Sequence, residues 1–83
     1  MKLNDDLKLK LSKLYEPSAM VEMNFRGKDI AFKTNEDGHA ILLFIGRKDA
    51  SGQIKGERYV RTLKRDQTGT IIKDHWDLKG KAS

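Results

Sequence analysis

The sequence predicts an α+β fold in which an N-terminal helix packs on a five-stranded antiparallel β-meander, curled enough that it could approach a small, partly open barrel. Two observations carry this reading. Four glycine-centred breaks, Arg26-Gly27-Lys28, Glu36-Asp37-Gly38, Ala50-Ser51-Gly52 and Gln67-Thr68-Gly69, cut residues 19–77 into five short segments rich in branched and aromatic side chains. Glycine takes positive φ without steric cost, and the flanking residue types suit a half-buried pleated surface. Ahead of these segments, Leu3, Leu7, Leu11 and Leu14 recur at helical spacing with Tyr15 beside them, which marks one apolar stripe.

In the N-terminal segment, 1–16, Asn4 is suited to cap a helix, Asp5 and Asp6 fall where the helix dipole favours negative charge, and Lys10 and Lys13 lie toward the other end. Pro17 closes the element. Leu7-Lys8-Leu9-Lys10-Leu11 also alternates as a strand would, so Leu9, off the leucine stripe, separates the two templates. The capping residues and the longer stripe favour the helix.

Ala19 to Arg26 places Val21, Met23 and Phe25 on one face, and Asp29 to Thr34 repeats the alternation with Ile30 and Phe32 after a tight reversal, giving a hairpin. His39 to Gly46 breaks the pattern, because Ala40-Ile41-Leu42-Leu43-Phe44-Ile45 is apolar on both faces. Its second side needs a cover, either the leucine stripe or a second copy of the chain. Gln53 to Arg65 is long, mixed on both faces and interrupted by Gly56, which suggests a bulge or sharp bend. Thr70 to Trp76 completes the meander. The chain thus reads as a single small domain, 1–83, whose residues 78–83 form a frayed tail. The expected core is Leu7, Leu11, Leu14, Val21, Met23, Phe25, Ile30, Phe32, Ile41, Leu43, Ile45, Val60, Ile72 and Trp76.

The 83 residues carry no cysteine, which removes disulfides and thiolate zinc sites and agrees with a reducing cytoplasm. The longest apolar run, Ala40–Ile45, is six residues, far below the roughly 20 that span a bilayer; a soluble cytoplasmic protein without a membrane partner is the expectation. The net charge of +5 is concentrated between residues 46 and 65, where Arg47, Lys48, Lys55, Arg58, Arg61, Lys64 and Arg65 face only Asp49 and Glu57.

The residues offer little chemistry. Asp37-Gly38-His39 and Asp74-His75-Trp76-Asp77 set both histidines beside carboxylates, but neither has the third close ligand that a zinc site needs. Asp66-Gln67-Thr68-Gly69 opens like a calcium loop, yet its glycine stands fourth rather than sixth and a hairpin turn explains it better. No nucleophile motif or phosphate-binding loop appears, so no catalytic, metal or cofactor residue is expected and the chain reads as a non-enzymatic binding module. Two partners fit. One is a protein, including a second copy, held through a sheet edge or the apolar third strand. The other is single-stranded nucleic acid, held by Arg47, Lys48, Arg58, Arg61, Lys64 and Arg65 with Tyr59 as a stacking ring.

Overall fold

The computed structural model describes residues 3 to 81. One short helix, α1 (Asp5–Leu11), precedes five strands: β1 (Met20–Phe25), β2 (Lys28–Thr34), β3 (Ala40–Lys48), β4 (Ile54–Arg65) and β5 (Ile71–Lys81). The strands form one antiparallel sheet in the order β1-β2-β3-β4-β5. The fold is α+β, dominated by the sheet, and the sheet is open. The expected approach to a barrel does not occur: β1 and β5 remain at opposite edges instead of pairing. No helix among the described residues is long and apolar enough to cross a membrane.

The turns repeat one device. Asn35, Asp49 and Asp66 each use a side-chain oxygen to accept two backbone N–H groups, from residues two and four further on, at 2.9 to 3.1 Å. Each turn then places a glycine, Gly38, Gly52 or Gly69, at φ between 86° and 89°, as a hairpin loop ending in a left-handed residue requires. The β1–β2 connection is tighter: Arg26 and Gly27 both take positive φ, at 52° and 84°, which matches the twist of the strands they join.

The helix is shorter than the span 1–16 within which the sequence places it. Asn4 caps it, its Oδ1 accepting the Asp6 N–H at 2.8 Å, but it stops at Leu11 because other groups take the carbonyls of its last turn. The Ser12 N–H closes the last regular helical bond, to Lys8 O at 2.9 Å, and the Ser12 hydroxyl donates to Leu9 O at 2.7 Å. The Tyr15 hydroxyl donates to Lys10 O at 2.7 Å, and Arg61 Nη1 to Leu11 O at 3.2 Å. A helix end needs such donors or water; here they come from the following turn and from β4. The chain then bends away, leaving Leu14, expected in the core, 65 % exposed.

Leu3, Leu7 and Leu11 face the sheet, where they meet Ile30, Phe32, Ala40, Leu43 and Tyr59. Tyr15 packs its ring edge on Phe32, with centroids 4.9 Å apart. Leu9 is exposed, as its position off the stripe predicts. Ala40 rather than Ile41 is fully buried, because the β2–β3 register shifts between Lys33 and Thr34 and re-aims the residues at the start of β3. Ile72, also expected inside, is exposed; the register shift between Lys64 and Arg65 leaves it without a partner on β4. The segment expected to fray continues as strand through Lys81, where Leu78 pairs with Tyr59 and Gly80 with Arg58; residues 82 and 83 lie outside the described residues.

The second face of β3 gains a partial cover that neither sequence-based alternative anticipated. Gly46 and Gly56 are paired across the β3–β4 hairpin, and beyond them its tip leans over the face away from α1. That lean sets Gly52, Gln53 and Ile54 around a cavity shared with Met20, Glu22, Ala31 and Phe44. Ala31 and Ile54 become buried, while Leu42, Phe44 and Val60 stay half-buried. Lys48 secures the tip: its Nζ lies 2.5 Å from Glu22 and its N–H donates to Asp29 at 2.8 Å.

Candidate interaction site

Beside α1, the helix leaves the outer part of the sheet uncovered, and a cleft of about 720 Å³ lies there. Asp5, Lys8 and Leu9 of α1, with Leu3 and Ser12 at its ends, form one wall. Tyr59 and Arg61 of β4 and Asp74, His75 and Trp76 of β5 form the other. Apolar surface from Leu3, Leu9 and Trp76 thus surrounds a charged floor.

Arg61 organises that floor. Its side chain is 4 % exposed and donates through Nε and Nη2 to the two carboxylate oxygens of Asp74 at 2.6 and 2.5 Å. Nη1 donates to Leu11 O and Ala40 O, both at 3.2 Å, and the guanidinium lies 5.6 Å from the centroid of the Trp76 ring. A planar donor fork suits this task, since two edges engage the carboxylate and two main-chain carbonyls at once. One side chain therefore joins the end of α1, the start of β3, β4 and β5.

The Arg61 hydrogen bonds hold the Asp74 carboxyl below its ordinary value; burial opposes this, and the charges of Arg61, His39 and Lys8 assist it. A carboxyl whose pKa is lowered by folding adds stability above its unfolded value and loses it as pH falls through the folded one. In urea denaturation, wild type should therefore exceed Asp74→Asn in stability by a constant margin above about pH 5, and the margin should shrink below about pH 4. A margin independent of pH would show that the ion pair contributes nothing. Next to Arg61, burial pushes the Tyr59 phenol up to about 12, assisted by its hydrogen bond to Glu57 at 3.1 Å.

No protein-family model, curated protein or solved structure matches this chain. The site is therefore read from its own geometry.

The residues grouped by sequence as a nucleic-acid surface do not share one. Tyr59 and Arg61 are buried. Arg65 turns toward the β2–β3 loop, donating to Gly69 O at 2.8 Å and approaching Asp37 at 3.5 Å and His39 at 3.4 Å. Arg47 and Lys48 stand at the hairpin tip opposite Lys55 and Ile54. Arg58 pairs with Phe44 and Gly80, and Lys64 with Lys73. Alternation along β4 puts Arg58 and Lys64 on the face opposite Tyr59 and Arg61. Of the two histidines, His75 Nε2 is 2.7 Å from Asp77 Oδ1.

Sequence reasoning missed the cleft, although its members were visible. In the sequence, Asp74 stands out only as a neighbour of His75. Its actual partner, Arg61, stands on the preceding strand, opposite Trp76 and two residue pairs from Leu63 and Asp74. A signal was present: a hairpin through Asp66-Gln67-Thr68-Gly69 folds the basic strand onto Asp74 and Asp77.

Proposed function

We propose that this protein is a small interaction module that takes up an extended polypeptide segment along the outer edge of β5. The observation that carries the reading is a coincidence of two features. β5 ends the sheet order, so one side of its backbone offers N–H and C=O groups to a further strand. Directly beside that edge runs the cleft between α1 and β5. Strand addition draws affinity from main-chain hydrogen bonds and selectivity from pockets that receive alternate side chains, and the two features supply one each. Leu3, Leu9 and Trp76 suit an apolar side chain on the incoming segment; Lys8 and His75 suit a polar or acidic neighbour. The other edge, β1, is shorter, with six residues against eleven.

Trp76 is the only tryptophan, which gives the site an intrinsic reporter. Peptides selected from a random extended library on the full chain should shift its emission and slow hydrogen exchange of β5 amides between Ile71 and Lys81. Backbone N-methylated versions of the same peptides should lose binding, because side chains alone do not complete the added strand. Failure to select any binder, or binders that leave β5 exchange unchanged, would overturn the proposal.

A further inference from the structure

We infer that the segment β5 receives is β5 of a second copy of this chain, paired antiparallel about a two-fold axis through His75. The inference rests on the reading of β5 as a strand-addition edge and names its partner. Between the register shifts at its two ends, Lys73 to Leu78 pairs one to one with β4, which leaves a regular length of edge. When two copies continue one sheet about an axis perpendicular to it, residues on the same face must oppose each other, so the axis passes through a residue.

Four central residues can be compared. Centred on Asp74 or Asp77, two identical carboxylates meet. Centred on Trp76, Lys73 comes against the partner's Lys79, at the register shift just beyond the regular stretch. Like charges directly opposite destabilise a strand pair. Centred on His75, Lys73 lies opposite the partner's Asp77, a pair that occurs twice within the regular stretch. Leu78, 42 % exposed, closes the regular stretch at one end, and Ile72, 62 % exposed, flanks it at the other, so this register brings the two apolar ends toward each other across the axis. It also sets the Asp77 carboxylate, already 2.7 Å from His75 Nε2, beside the partner's lysine. Charge complementarity selects this register, and the exposed apolar residues at the two ends come together in it.

Sedimentation equilibrium of the full chain at neutral pH should show a monomer–dimer equilibrium that becomes dimer at high concentration. Lys73→Asp or Asp77→Lys should each weaken it about tenfold or more, and the double charge swap should restore it. Both side chains lie on the exposed strand, and circular dichroism of each variant checks that it is folded. His75→Cys should give a disulfide-linked dimer on oxidation, since the axis brings that position against its own copy, whereas Lys79→Cys should not. A chain that stays monomeric, or a dimer indifferent to the charge swaps and not cross-linked through His75→Cys, overturns the inference. If the chain is monomeric while selected peptides still protect β5, self-pairing falls and the edge-docking function stands; if neither occurs, both fall.

Discussion

Arg61→Ala should lower the unfolding free energy by about 3 kcal/mol, the lower end of what removing one partner of a buried ion pair costs. The guanidinium is almost fully enclosed, and its loss takes away the donor to two main-chain carbonyls through bonds that are themselves buried. Each carbonyl left dry without a donor costs on the order of 1–3 kcal/mol. The effect stays at the lower end because Asp74 is 44 % exposed and its freed carboxylate can rehydrate. Arg61→Lys should recover little, since a single ammonium on a narrower stem cannot engage the carboxylate with two edges and reach Leu11 and Ala40 as well. Urea denaturation of the two variants measures both effects. A loss below about 1 kcal/mol for Arg61→Ala would show that packing alone holds α1 against the sheet.

Gly46→Ala should cost a similar amount, about 3 kcal/mol, for a different reason. Neither Gly46 nor Gly56 is at positive φ, so backbone freedom is not the issue. Space is. A Cβ on Gly46 would sit 1.9 Å from the Lys55 carbonyl oxygen, and one on Gly56 would sit 2.0 Å from that of Ile45. Both obstacles are main chain, so the strands themselves must part. The parting would lift the hairpin tip, withdraw Ile54 from Ala31 and loosen the Lys48–Glu22 contact. Once the strands have separated for one methyl group the second needs less, so Gly46→Ala/Gly56→Ala should cost clearly less than the sum of the single changes. Strict additivity would mean that each methyl is accommodated locally, without the hairpin opening.

Much of this architecture is written in local patterns. The leucines at positions 3, 7 and 11 and the Asn4 cap specify α1 and its buried stripe because helical spacing and capping are short-range properties. The four glycine breaks specify the hairpins, and the shared arrangement of Asn35, Asp49 and Asp66, each five residues before a strand, makes three of the turns variants of one design. Alternation in β1 and β2 determines which residues face the core. Where pattern and structure part, a longer-range contact has intervened. Leu14 is exposed because Tyr15 and Arg61 end the helix before it. Ile41 yields its place to Ala40, and Ile72 loses its own, through register shifts set by pairing with β2 and β4.

The candidate site follows the same division. Composition shows a basic segment between residues 46 and 65, but charge counts carry no direction, and only strand pairing sends Arg61 inward and Arg58 outward. The helix, the five ribbons and the order in which they fold back are legible in the residues alone, because each depends on positions close to one another in the chain. Only the assembled fold leaves the sheet open, joins Arg61 to Asp74 and the end of α1, and sets β5 at the edge of the sheet beside a cleft. Those outcomes depend on register and on close approach between segments as far apart as Leu11 and Arg61, where a shift of one residue turns every side chain to the other face.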